Sequence, residues 1–200
     1  MAMNPWVFGI EIKPDQMPAS NAILILIFIP LFNRFVYPLS YYLPTALQFH
    51  NRPLRKMGLG MFLCGCSFVI SAFLQFAVEK NPYHPDDKST GICILWQLLQ
   101  YIVVTASEIM FSITGLEFAY GESPISLKSM AQAGWLLTVA VGNLIVVVIA
   151  ESKLFESLAH EMLFFAVMIW LALLVFSYIA YNYTPLKLRE DEELVFHDDE

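Results

Sequence analysis

The stretch MGLGMFLCGCSFVISAFLQFAV, residues 57–78, holds 22 consecutive residues without a formal charge. A helix needs about 20 such residues to cross a hydrocarbon core. Two more runs meet that length: residues 129–150, SMAQAGWLLTVAVGNLIVVVIA, with 22, and residues 162–185 with 24. Two further stretches fit with interruptions. Residues 18–42 carry Arg34, and residues 91–120 carry Glu108 and Glu117. The composition agrees, at 58% hydrophobic and 14% charged, against roughly 45–50% and about 25% in soluble domains. The sequence predicts an all-α integral membrane protein with five transmembrane helices over about 17–42, 57–78, 91–120, 127–150 and 160–183. Residues 1–14 read as an extracellular loop, residues 15–184 as the transmembrane bundle and residues 185–200 as an acidic cytoplasmic tail.

The net charge of −7 is mostly local, because seven acidic and two basic residues from Lys187 onward supply −5 of it. Such a tail is a solvated segment and names no partner. Cys64, Cys66 and Cys93 all fall in expected spans. Cys64 and Cys66 point about 200° apart on a helix, so they read as packing residues. His50, His84, His160 and His197 fall in loops, span ends or the tail, with no metal pair at helical spacing. There is no nucleophile motif, phosphate-binding glycine loop, dinucleotide fingerprint or nucleic-acid-binding motif. Those signals point away from an enzyme: no catalytic residue, no metal, no cofactor and no nucleic-acid partner are expected.

Loop charges set the expected orientation. Arg52, Arg55, Lys56, Lys128, Lys187 and Arg189 lie on one side, six against the four of Lys13, Lys80, Lys88 and Lys153. The positive-inside rule then places the C-terminus in the cytoplasm and the N-terminus outside. Pro30 and Pro38 should bend the first span. Gly58, Gly60 and Gly65 in the second, and Gly134 and Gly142 in the fourth, would let helices approach closely.

Glu108 is the residue that calls for an explanation. A charge near a bilayer centre costs about 2.5–3.5 kcal/mol on insertion scales. It is tolerated beside water, beside a cation, or by taking up a proton. Two readings stay open: a hydrogen bond to a neighbouring helix, or a group that binds cations and exchanges protons. Ser112 lies one helical turn on, on the same face. Asn21, in the outer part of the first span, must find hydrogen bonds. Trp135 lies about a turn and a half into the fourth span and reads either as an interfacial anchor or as a binding-site wall. Glu117 is expected on the far face, paired with Arg34 or Lys128.

The stretches IKPDQMPASNAILILIFIPLFNRFVYPL (12–39), RKMGLGMFL (55–63) and SEIMFSITGLEFAYGESPISLKSMAQAGWLLTVAVGNLIVVVIA (107–150) closely resemble the proton-coupled oligopeptide transporters. These are the peptide transporters of the solute carrier 15 family, and the likeness to animal members covers about residues 9–184. It implies a major facilitator fold of which this chain looks like helices 8–12 alone, an incomplete C-terminal bundle. It also implies symport of di- and tripeptides with protons, H+ being the coupling ion, in a multi-pass protein of the plasma membrane. By position, Asn21 matches the eighth-helix asparagine and Glu108 the tenth-helix glutamate, the pair that holds the peptide amino terminus. Trp135 matches the eleventh-helix tryptophan lining the cavity, and Ser112 joins these as a substrate-binding residue.

Some family features are missing or changed. The E-x-x-E-R-F proton-coupling motif belongs to the first helix and does not occur in this sequence. Leu99 stands where many relatives have proline, and Asn33 where aspartate is common. The expected partners are therefore a peptide, protons, the lipid bilayer, and either the N-terminal transporter half or a full-length paralogue. The alternative function is a non-transporting membrane protein that binds and regulates a full-length relative.

Overall fold

Pro53 opens the longest helix, where its missing N–H is no loss because the first helical N–H groups have no partner within the helix. The computed structural model describes residues 3–7, 10–11, 17–39, 52–81, 91–152, 155 and 157–183. The acidic tail, most of residues 1–16 and the loops holding Lys13, His50, His84, Lys88 and Lys153 lie outside the described residues. Five stretches are long and apolar enough to cross a membrane: Ala19–Val36, Pro53–Lys80, Ile94–Gly121, Lys128–Glu151 and Leu158–Tyr181. The nearly all-helical architecture with five membrane-length spans, expected from the uncharged runs, is what the structure shows.

The first span is α1 (Met17–Leu31), a π-helical turn (Phe32–Val36) and a short α2 (Tyr37–Leu39). Pro38 explains the wide turn. A proline ring collides with the carbonyl four residues earlier, which here belongs to Arg34 inside the π turn. Widening the turn makes room for it. The second span is α3 (Pro53–Lys80), which takes Arg55 and Lys56 into its first turns rather than leaving them in a loop. The third is built from a 3-10 turn (Ile94–Trp96), α4 (Gln97–Glu108), a second π turn (Ile109–Ile113) and α5 (Thr114–Gly121). The fourth is α6 (Lys128–Glu151) and the fifth α7 (Leu158–Tyr181), capped by Ser157, whose Oγ accepts from the Ala159 N–H at 3.2 Å.

Helix α3 lies between α4 and α7 and packs on both. Against α7 the partners run in opposite directions along the two helices. Gly58 meets Leu173 and Phe176, Gly65 meets Trp170, Phe68 meets Phe165, and Phe76 meets His160. The two helices are therefore antiparallel. Against the third span, a Cβ at Gly60 would stand 2.8 Å from the Phe111 nitrogen, so this crossing depends on a missing side chain. Gly134 and Gly142 behave differently from expectation, with no atom within 4 Å of where their Cβ would sit. The reason is the position of α6, which packs mainly along α5 and buries none of its residues. Its glycines face no neighbour among the described residues.

The buried apolar cluster holds Phe32 from the first π turn and Ile109 and Met110 from the second, with Phe28, Val36, Leu59, Leu63 and Ala106 around it. At the end of the bundle where the third span begins, the N-terminal segment is more ordered than a plain loop. Trp6–Val7 pairs antiparallel with Ile10–Glu11. Asn4 donates its N–H to the Ile92 carbonyl at 2.8 Å and accepts from the Ile94 N–H at 3.0 Å. Gly91 turns into this bridge at φ 82°, a conformation that glycine adopts at no steric cost.

Candidate substrate-binding site

Glu108 is the last residue of α4, and the π turn begins at the next residue. A π turn lengthens the hydrogen-bond step from four to five residues, and such turns occur frequently at functional sites. Here it changes the register between Glu108 and everything C-terminal to it. Ser112, placed one α-turn from Glu108 by sequence spacing, sits inside the π turn and is exposed. Among the described residues it forms no hydrogen bond with Asn21 or Glu108.

Asn21 and Glu108 do meet. The Asn21 Nδ2 donates to Glu108 Oε2 at 3.1 Å, joining the first and third spans across 87 positions of sequence. Thr105, one turn before Glu108 and fully buried, donates its hydroxyl to Asn21 Oδ1. These two bonds fix the amide, because its oxygen faces a donor and its nitrogen faces the carboxylate. Sequence reasoning passed over Thr105. The available signal was a hydroxyl three residues before the carboxylate, on the same helical face. With the amide held, one Glu108 oxygen and the second lone pair of Asn21 Oδ1 have no partner among the described residues and can receive a further donor. That pair is suited to an ammonium group, which offers three N–H bonds and a positive charge.

Trp135 approaches the third span from α6. Its ring lies over Gly115, where a Cβ would come within 2.2 Å of Cη2, and tilts against Phe111 at 5.8 Å between centroids. The indole is thus seated in a notch that only glycine leaves open, C-terminal to Glu108 on the same span. Glu117 is exposed and close enough to Lys56 to act on it electrostatically. Lys128, one of its two expected partners, instead places its Nζ 4.5 Å from the centre of the Tyr120 ring. Among the described residues no group of three or more His, Cys, Asp or Glu side chains could hold a metal ion.

The family model for PTR2, the POT family, matches residues 1–158. The chain is 51% identical over 104 residues to solute carrier family 15 member 2 of Rattus norvegicus, over 51% of this chain and 14% of that one. It is 50% identical over 102 residues to peptide transporter family 1 of Drosophila melanogaster, again over 51% of this chain and 14% of the other. The chain thus spans about 14% of the length of these curated relatives. Among solved structures, the POT family transporter PepTSo superposes with a TM-score of 0.72 at 31% identity, covering 86% of this chain and 34% of that one. An auto-inhibited POT family peptide transporter gives 0.72 at 30% identity, covering 90% and 35%.

Proposed function

Since this chain belongs to the POT family of peptide transporters, we propose that its five spans supply the part of a proton-coupled di- and tripeptide carrier that grips the peptide amino terminus. The hydrogen bond from Asn21 to Glu108, braced by Thr105, is the observation that carries this reading. Glu108 provides the charge and Asn21 an oriented acceptor. Trp135, seated on Gly115, supplies an apolar wall, and Ser112 remains on the same span as a further contact. A proton on Glu108 cancels the charge that holds the ammonium, so peptide release and proton uptake meet at one carboxyl group.

The carrier is proposed to be a secondary active symporter in the plasma membrane, with H+ as coupling ion and no other cofactor. The N-terminus would lie outside and the C-terminus in the cytoplasm. Alternating access in such carriers rocks two bundles about a site between them. The chain covers 34% of the solved PepTSo chain. The bundle closing the other side of the cavity is proposed to come from a longer form of the same polypeptide or from a full-length relative bound to it. Transport by these 200 residues alone is not expected.

A second reading is favoured by α6, which buries no residue and offers apolar surface along its length. On this reading the chain binds and regulates a full-length relative without transporting. Proton-driven dipeptide uptake into vesicles separates the two. Uptake that requires this chain supports the carrier, whereas unchanged binding to a relative with no contribution to uptake supports the regulator.

The brace makes its own prediction. Thr105→Val keeps the volume but removes the donor to Asn21, freeing the amide to turn. Loss of one neutral hydrogen bond of about 1 kcal/mol should weaken dipeptide binding roughly fivefold. Titration calorimetry with a dipeptide and with its N-acetylated form checks this, and the N-acetylated form should be indifferent to the change.

A further inference from the structure

Phe111, inside the second π turn, touches two helices at once. Its backbone makes a close approach to α3. A Cβ at Gly60 would stand 2.8 Å from the Phe111 nitrogen, 2.9 Å from the Phe111 Cβ and 3.0 Å from the Ser107 carbonyl oxygen. Its ring meets Trp135 of α6, with centroids 5.8 Å apart and planes inclined at 41°. That spacing lies within the roughly 4.5–7 Å at which aromatic rings attract. Both side chains are half-buried. The contact with Gly60 is made by atoms that cannot swing away, because a backbone nitrogen and a Cβ are fixed to their span. The two residues before Phe111 are held as well, since Ile109 and Met110 are buried beside Phe32 of the first π turn. The root of the Phe111 ring is therefore set by the crossing of the third span with α3.

Trp135 has less support from its own helix, because α6 buries none of its residues. Its ring is placed by what it touches on the third span. Gly115 takes the far edge of the indole, with Cη2, Cζ3 and Cζ2 at 2.2, 2.8 and 2.9 Å from where a Cβ would sit. Phe111 meets the ring from the side of Glu108, since it lies between Glu108 and Gly115 in the span. One contact sets how deep the indole sinks and the other sets its tilt. From Glu108 to Gly115 the helical rise is about 10 Å. In a peptide, the carbon that bears the ammonium also bears the first side chain. A wall this near the carboxylate meets that side chain before the second.

We propose that Phe111 is a positioning residue: it fixes the tilt of Trp135 and so sets the room left for the first side chain of a bound peptide. The proposal rests on the reading of Glu108 and Asn21 as the grip on the peptide amino terminus. Phe111 acts through Trp135 rather than by touching the peptide. Without its ring the indole can lean into the vacated space while its far edge stays on Gly115, and the wall retreats. A bulky first side chain then gains room, and a small one loses contact.

The test compares the full chain with Phe111→Leu in lipid nanodiscs, by calorimetry with alanyl-alanine, phenylalanyl-alanine and alanyl-phenylalanine. The affinity for phenylalanyl-alanine relative to alanyl-alanine should rise about tenfold, the scale on which an apolar pocket discriminates by size. The ratio for alanyl-phenylalanine should stay where it was. In a Trp135→Leu background, Phe111→Leu should change neither ratio. An unmoved phenylalanyl-alanine ratio, an equal loss for all three peptides, or a shift that persists without Trp135 overturns the proposal. A second measurement needs no peptide. With 5-fluorotryptophan incorporated, the fluorine resonance of Trp135 is the one missing from Trp135→Leu. In Phe111→Leu it should broaden through exchange between tilts, while the Trp170 resonance keeps its width and shows that the bundle has folded. Phe111→Met should give the same result. A Trp135 line as sharp as in the parent chain shows that the indole is held without Phe111 and overturns the proposal. A broadened line in a chain that binds no dipeptide keeps the positioning of Trp135 and sinks the peptide site. Dipeptide binding with a sharp line and unmoved ratios does the reverse.

Discussion

Replacing Glu108 with glutamine is expected to lower the affinity for a dipeptide with a free amino terminus on the order of 100-fold. Removing one partner of a part-buried ion pair leaves the other charge uncompensated, at a cost of about 3 kcal/mol. Glutamine is the informative substitution because its carbonyl oxygen can still accept from Asn21 Nδ2, as Glu108 Oε2 does at 3.1 Å. The link between the first and third spans survives, and with it the fold. If the carboxylate serves only to join helices, Glu108→Gln will bind peptide as tightly as before. An N-acetylated dipeptide supplies the control, because it carries no ammonium and should not distinguish glutamate from glutamine. Titration calorimetry on both ligands checks the prediction. Equal affinities for the free dipeptide in both forms would overturn the proposed role of Glu108.

Several features of this arrangement were legible in the sequence because they depend on single positions. An uncharged run of 22 residues can do little but cross a membrane, so the five spans follow from residues 57–78 and their counterparts. A carboxylate at that depth needs a partner, and so does the Asn21 amide, but residue physics alone does not pair the two. The structure places Asn21 and Glu108 in hydrogen-bond contact. What escaped the sequence depends on pairs. Thr105 looks like any span hydroxyl until Asn21 is beside it. Gly115 looks no more significant than Gly134 or Gly142, yet it alone of the three receives a tryptophan ring. Periodicity cannot say which glycine faces a neighbour. Nor does α-helical spacing anticipate the π turn at Ile109–Ile113, within which Ser112 lies.

The third span therefore has a division of labour. Its N-terminal part, α4, holds the hydroxyls and the carboxylate against α1 and α3. Its C-terminal part, α5, receives Trp135 from α6. The π turn between them lets the two parts face different partners. Among the described elements α6 packs mainly on α5, with Trp135 also reaching Phe111 in the π turn, so the wall of the proposed site is held chiefly by the third span. Helix α3, by contrast, is fixed from both sides.

The largest structural effect is expected at Gly65. A methyl group there would stand 2.1 Å from Trp170 Nε1, 2.6 Å from Cδ1 and 2.8 Å from Cε2, well inside contact distance. The indole has little freedom to retreat, since its ring is stacked on Phe62 at 6.2 Å and 19°. Its Nε1 is buried with no hydrogen-bond partner among the described residues, so no bond holds it there and close packing must. Gly65→Ala should destabilise the protein by about 2–3 kcal/mol, the upper part of the range for forcing an added methyl into a packed interior. In a chain of this size that lowers the melting temperature by roughly 5–10 °C. Gly58→Ala is the matched control on the same helix. Its methyl would meet Leu173 Cδ1 at 3.8 Å and Phe176 Cε1 at 3.9 Å, ordinary contact. Exchanging glycine for alanine inside a helix should there be neutral or stabilising by about 0.5–1 kcal/mol. Thermal unfolding in detergent compares the two, and Trp170→Leu added to Gly65→Ala should recover part of the loss through a coupling of about 1 kcal/mol or more. Equal melting temperatures for Gly58→Ala and Gly65→Ala would show that α7 is not held by this notch. Lipid tails are as apolar as the helix surfaces, so burial of apolar area cannot drive α7 onto α3, and shape is what remains to do it.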